Sequence, residues 1–240
     1  LFGTPGLDPK EKKALVFTDS VQDAAHRAGF VQARSHALTL RSLVRQAIGD
    51  DDIDLAKLAA RVVDLAGDDQ GKRYRALPPE LAAREKFEQF WSAPTLRQVP
   101  RQVLGWVEKR LLLDIELEFG LRSNVGRTLE LSGSVVAGLD ANSGLLTRCA
   151  RAAWEAAAGT QSSIIDTTDD LLLRWVVGVI ERMRTRGAID HEWFAKFRQE
   201  DGNRWWITGG RKRQEGMPGF GKGNSTPGFP VAGRRGSGDT

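Results

Sequence analysis

One short apolar run, Ala14-Leu15-Val16-Phe17, is the only clear strand signal in this chain. After it, apolar residues recur mostly with the 3.6-residue period of amphipathic helices. A run without polar alternation suits a strand buried on both faces. Alone it leaves its backbone N–H and C=O groups without a ladder and cannot form a sheet. The expected fold class is therefore mainly α: one short buried strand of an incomplete α/β domain, then six to eight helices. The missing strands are either hidden near the termini or supplied by polypeptide outside this chain.

The residues after the strand look like a helix start. Ser20 precedes Asp23 by three, an acidic variant of the capping box, so a helix is expected from about Val21. Val21, Ala24, Ala25 and Ala28 share one face, and Gly29 weakens the end. "SHALTLRSLVRQAI" predicts a second helix, with Leu40, Leu43, Val44 and Ile48 inward. "DDDIDLAKLAARVVDLAG" predicts another, opened by acids and closed by Gly67. "GDDQGKRYR" reads as a polar loop, and Pro79 as the start of a helix through "ELAAREKFEQFW". Pro94 and Pro100 bracket a turn before the long helical stretch "RQVLGWVEKRLLLDIELEFGL", apolar around much of its girth. "RSNVGRTLELSGS" breaks the pattern, and "NSGLLTRCARAAWEAAAG" resumes it. In "TTDDLLLRWVVGVIERMRTRGAI", Thr167 or Thr168 can cap, Asp169 and Asp170 fill the first turn, and Arg182, Arg184 and Arg186 load the last. A short helix is expected at His191–Arg198. From Gly209 onward Gly and Pro dominate, and residues 209–240 read as loop or disordered.

Composition narrows the function classes. Apolar residues make up 40% and charged residues 28% of the 240, a balance that lets such helices bury a core. No stretch of eighteen apolar residues exists, so no membrane partner is expected. The opening "LFGTPGLDPKEKK" lacks the apolar core of a signal peptide, begins without Met, and reads as a piece of a longer protein. The single cysteine, Cys149, excludes an internal disulfide and a Cys-rich zinc site. Its helical setting predicts a buried structural thiol, and a reducing cytoplasm is the default location. Residues 1–170 carry 22 basic and 24 acidic side chains, whereas residues 171–240 carry 13 and 7. A cationic end on a near-neutral body suits a polyanionic partner or a solubilising tail.

Several chemistries lack their motifs. There is no GxxxxGK[ST], no GxGxxG, no HExxH and no GxSxG. "GFGKGNS" at Gly219–Ser225 is glycine-rich but has no strand before it. His26, His36 and His191 are scattered and predict no metal site. A nucleophilic Asp19 would need a metal and a second acid, and the local candidate, Asp23, is already explained by capping. No catalytic or metal-binding residue is assigned.

"KALVFTDSVQDAAHRAGF" resembles the start of the second RecA-like motor domain of superfamily-two DEAD/DEAH-box helicases, in particular a bacterial branch carrying "FSDSRQDA"-like text there. Leu15, Val16, Phe17, Asp19, Ser20, Gln22, Asp23 and Ala24 carry the match. The resemblance implies a motif IV strand and turn, with Thr18, Asp19, Ser20 and Gln22 near the backbone of a tracked nucleic-acid strand. Helix-start amides there can donate to a phosphate, a contact that Asp19 and Asp23 oppose unless they bond inward. "EFGLRSNVGRTLELSGS" and "GMPGFGKGNSTPGFP" also look like segments of this branch. ATP and magnesium are implied for the parent protein. This chain carries neither a phosphate-binding loop, nor DEAD/DEAH acids, nor an arginine-finger motif, and cannot hydrolyse ATP by itself. The partners implied are nucleic acid, DNA in the first instance, and the remainder of the helicase chain.

The basic stretch Leu171–Arg213 is compatible with a winged-helix-like end. Arg184, Arg186, Lys196, Arg198, Arg204, Arg211, Lys212 and Arg213 would face phosphates, and Trp205 or Trp206 would stack on a base. Trp175, Trp193 and one of the tandem pair are expected in a core, because a strand buries only one of two neighbours. The division expected is 1–49 as the start of the motor domain, 50–166 as a helical insertion, 167–208 as a basic helical module, and 209–240 as loop. The reading is part of a DNA helicase or translocase. The alternative is a helical protein-interaction module without a nucleic-acid role.

Overall fold

The computed structural model describes residues 21–120, 128–158, 167–185, 188–200, 205–208 and 214–220. Among these the chain is mainly α, and no strand occurs. The expected strand, Ala14–Phe17, lies outside the described residues.

The first helix, α1 (Val21–Ile48), is continuous where two helices were expected. A glycine inside a helix costs only about 1 kcal/mol relative to alanine, so Gly29 does not end it. Leu40, Leu43, Val44 and Ala47 bury one stripe of its second half. Termination comes at Gly49, whose φ of 62° few other residues adopt, and whose N–H donates to the Arg45 carbonyl at 3.1 Å. Next is α2 (Leu55–Ala66), capped by Asp54, which accepts from the Ala56 N–H at 3.0 Å, and closed by Gly67 as predicted.

The expected polar loop is in fact a helix, α3 (Gln70–Ala76). Asp69 caps it by accepting from the Lys72 N–H at 2.9 Å. Its periodicity is hidden because the side chain it buries is Arg73, fully enclosed, with Nη2 donating to the Asp68 and Ala93 carbonyls. The stretch from Pro79 divides into α4 (Pro79–Ala82) and α5 (Glu85–Ser92), with the Trp91 indole N–H donating to the Ala82 carbonyl across the break. A 3₁₀ turn, Leu96–Gln98, fills the space between Pro94 and Pro100.

The helix α6 (Arg101–Gly120) is the axis of the molecule. Val103, Val107, Leu111, Ile115 and Phe119 join one core with α1–α5 and Leu129 of α7 (Thr128–Leu131). Leu113, on another side of α6, joins a second core with Ile189, Trp193, Phe194, Phe197, Ile207, Met217 and Phe220. An all-round apolar helix is thus explained by having neighbours on two sides. The second core gathers a 3₁₀ turn (Glu192–Phe194), α10 (Ala195–Gln199), α11 (Trp205–Thr208) and the segment 214–220. Met217 and Phe220 are buried, so this part of the expected loop is packed. At Gly216, φ is 85°, so a side chain there is strained by conformation, while an added Cβ would only reach ordinary contact with Phe87 at 3.4 Å.

Two longer helices, α8 (Ser143–Ala158) and α9 (Asp169–Thr185), pack chiefly on each other. Asn142 caps the first by accepting from the Leu145 N–H at 3.0 Å, and Thr168 caps the second. The base of α9 is tied down by Arg184, which donates to the Phe119 carbonyl and to Glu130. Two expectations fail on this pair. Cys149 is exposed, and Trp175, although its ring meets Trp154 of α8 edge-to-face, is 45% exposed. Trp193 is buried, as expected.

Candidate functional site

The densest polar constellation among the described residues lies on α6. Arg110, Asp114 and Glu118, spaced by four, form one stripe of that helix. The Arg110 guanidinium is only 6% exposed. Its Nε donates to both Asp114 carboxylate oxygens at 3.0 and 2.9 Å, Nη2 to Glu80 at 2.7 Å, and Nη1 to the Gly216 carbonyl at 3.1 Å. One side chain thereby joins α4, α6 and the 214–220 segment. Four residues on, Glu118 accepts from Arg41 Nε at 3.1 Å and from the Leu129 N–H at 3.1 Å, joining α1, α6 and α7.

Electrostatics separate the members of this cluster. Burial pushes the Asp114 carboxyl up, against the pull of Arg110. Burial is also the largest influence on the partly exposed Glu80, but there the charge and hydrogen bond of Arg110, with smaller lowering contacts, together outweigh it and the carboxyl is held below its usual range. His36 of α1 feels Asp114, Arg110 and Glu80, yet desolvation dominates and lowers its pKa, so it is neutral at pH 7; its Nδ1 is buried without a partner. The donors of Arg110 are committed to protein acceptors, which fits a clamp between elements better than a substrate anchor.

His191 occupies a similar structural role. Its Nδ1 accepts from the Trp193 N–H at 3.1 Å, so the proton sits on Nε2 and is donated to the Lys109 carbonyl at 3.1 Å. Burial lowers its pKa, in keeping with this neutral tautomer. It is a helix cap, and its sequence signal was its place just before "EWFAKF". Among the described residues no group of three or more His, Cys, Asp or Glu is placed to hold a metal ion, and no helix is long and apolar enough to cross a membrane. An open cleft of about 560 Å³ lies at the first turns of α8 and α9, with Arg148, Arg151, Asp169 and Asp170 on its walls, a lining of mixed sign.

Of the sequence-derived nucleic-acid contacts, Thr18, Asp19, Ser20, Arg204, Arg211, Lys212 and Arg213 lie outside the described residues, as does Arg186. Gln22 is described only as part of α1. Two further arginines are engaged elsewhere: Arg184 with Glu130 and Glu181, and Arg198 with Asp190 and the carbonyls of Ile189 and His191. Lys196 is exposed. Trp206 lies in the helical turn α11 rather than a strand and donates its indole N–H to Glu200 at 2.6 Å, which ties the ring to the protein. The Arg110 clamp was not legible in advance, because a charged residue inside a helical period reads as a solvated face. Comparisons with protein-family models, with curated proteins and with solved structures found no match.

Proposed function

We propose that this chain is part of an ATP-dependent DNA helicase or translocase and contributes nucleic-acid contacts rather than complete ATPase catalysis. The observation that carries the reading is the run Leu15–Ala24, "LVFTDSVQDA", with its helicase-like order of apolar strand, hydroxyls, acids and helix start. In support, α1 is helical from Val21, so helix-start N–H groups stand beside the motif, where they favour a phosphate. On this reading residues 1–49 open an incomplete RecA-like α/β domain, ATP and magnesium serve the parent protein, and the setting is cytoplasmic. The basic end, winged-helix-like in this view, supplies Arg204, Arg211, Lys212 and Arg213 to the DNA backbone. The long α1 rod, gripped by Glu118 through Arg41, couples the motif to the helical body.

The test is binding of the chain to fluorescent DNA across a salt series. The expected result is a log–log fall of affinity with salt, lost on reversing the charges of Arg211, Lys212 and Arg213. No binding, or a response flat in salt, overturns it. The second reading, a helical interaction module without a nucleic-acid role, is favoured by the exposed Leu145, Leu171 and Trp175 on α8 and α9. A pull-down that recovers protein but no nucleic acid selects it.

A further inference from the structure

We propose that the contact between α6 and the segment 188–200 is a pH-gated clasp: it closes on Glu116 as a neutral acid, and ionisation of Glu116 releases the second core from α6 while the first core stays folded. Lys109, Leu113, Glu116, Leu117 and Gly120 share one face of α6. Lys109 pairs with Glu192 at 2.8 Å, and its carbonyl accepts from His191 Nε2 at 3.1 Å. Leu113 lies in the second core, and Leu117 packs against it. Gly120 runs so close to Ile189 that an added Cβ would stand 3.2 Å from Ile189 Cγ1. Glu116 sits within this face, with Oε2 buried and without a hydrogen-bond partner.

The groups around Glu116 favour its neutral form. Among the described residues, the charges that act on it are Asp190 and Arg198, both from the facing segment. Asp190 repels an anion. Arg198 attracts one, but its guanidinium is engaged by Asp190 at 2.8 Å and by the carbonyls of Ile189 and His191 at 3.2 Å each. Arg184, where the end of α9 meets α6, is taken up by Glu130, Glu181 and the Phe119 carbonyl. Lys109, with its partners Glu192 and His191, lies about two turns away along α6. A carboxylate at Glu116 is therefore held out of water with one oxygen unpaired and an acid beside it. Burial first, then Asp190, against the pull of Arg198, accordingly push this carboxyl up to about 7. Opening returns the group to water and to its ordinary value of 4.5. The closed form is thus favoured in full below pH 4.5 and loses that advantage as pH rises to about 7, the proton passing to water. His191 works in the opposite sense, since burial lowers its pKa and only acid charges it. The second core is the smaller of the two, so it is the one that yields.

The experiment is hydrogen exchange of the whole chain, read by mass spectrometry from about pH 5 to about pH 8.5 and corrected for intrinsic exchange chemistry. Protection of residues 192–199 should fall at least about tenfold relative to α2 across this range, a single proton's tenfold per pH unit being discounted for the solvent that reaches Glu116. Glu116→Gln keeps the neutral shape and should hold that ratio flat. Asp190→Asn, at an exposed side chain, removes the repelling charge and frees Arg198 toward Glu116, so the fall should shrink. It serves as the test where Glu116→Gln fails to fold. His191 is present in every chain compared, so its own titration cancels. Protection of residues 192–199 that keeps step with α2 at every pH overturns the proposal. So does a fall that Glu116→Gln and Asp190→Asn both leave unchanged.

Discussion

The α1–α7 bundle and the α8–α9 pair are made of comparable amphipathic helices and end in opposite conditions. In the bundle, α6 serves as a central post, and α2 buries Leu58, Ala59, Val62, Val63 and Ala66. In the pair, Ala150 and Leu172 are buried, whereas Leu145, Leu171 and Trp175 stay half open. The ionic contacts divide likewise. Arg110 is enclosed with Glu80 and Asp114, whereas Arg151–Asp169 and Arg174–Asp170 are bridges on the surface. Amphipathic period determines which face of a helix is apolar. It does not determine what covers that face, and among the described residues the bundle encloses its helices on more sides than the pair does.

The sharpest way to test this contrast is to cut one ion pair in each region. Arg110→Ala leaves Asp114 and the Gly216 carbonyl without their partner and should cost about 3–5 kcal/mol in urea unfolding, whereas Arg151→Ala should cost under about 1 kcal/mol. Apolar truncations should separate just as widely. Phe87, fully buried beneath Gly216, should lose about 3–4 kcal/mol as Phe87→Ala. Leu145→Ala, at a 50% exposed position, should change stability by less than about 0.5 kcal/mol. Equal losses in the two regions would mean that the pair is packed as tightly as the bundle.

A smaller effect comes from Glu116, between the two cores. Burial, reinforced by the charge of Asp190 and opposed by Arg198, raises its carboxyl from 4.5 to about 7, and its Oε2 is buried without a partner. The native state therefore holds this proton more tightly than the unfolded chain. The native state is favoured by that proton below pH 4.5 and loses the advantage as pH rises to about 7. Glu116→Gln should thus raise stability by about 1–2 kcal/mol at pH 8, after discounting for the solvent that reaches the group, and leave it nearly unchanged at pH 4. The lowered pKa values of His36 and His191 act in the other sense, removing stability as pH falls through the imidazole range. The variant-minus-wild-type difference in melting temperature isolates Glu116, because both histidines are common to the two chains.

Legibility in the sequence follows the same boundary. Where a helix buries an ordinary apolar stripe between a capping acid and a glycine, as in α2, its extent could be read directly. Where the buried side chain is Arg73, α3 reads as a polar loop, because a pattern of apolar spacing has no symbol for an enclosed guanidinium. The same blindness hid Arg110. Gly29 was over-weighted as a breaker, since neighbouring turns hold α1 together across it. Cys149 was placed inside on residue type and helical setting, and Trp175 as a core tryptophan, neither of which says how fully neighbouring elements cover a face. Met217 and Phe220 were missed because a Gly/Pro-rich setting suppresses periodicity even where a ring and a thioether fill a core.

The finest comparison is between the caps of the two regions. Asp54 accepts from the Ala56 N–H at 3.0 Å, while Thr168 accepts from the Leu171 N–H at a long 3.4 Å. A charged oxygen at normal distance also meets the positive end of the helix dipole, and a neutral hydroxyl at stretched distance gains little from it. Asp54→Ala should therefore cost about 1 kcal/mol, and Thr168→Ala only about 0.5 kcal/mol. Amide hydrogen exchange distinguishes their reach. In the bundle α2 opens only with the core it supports, so Asp54→Ala should speed exchange throughout α2. At α9 the loss should be confined to the first turn, because Arg184 and the Phe119 carbonyl hold the far end independently of the cap. Exchange that accelerates along the whole of α9 would show that the pair, too, opens as one cooperative unit.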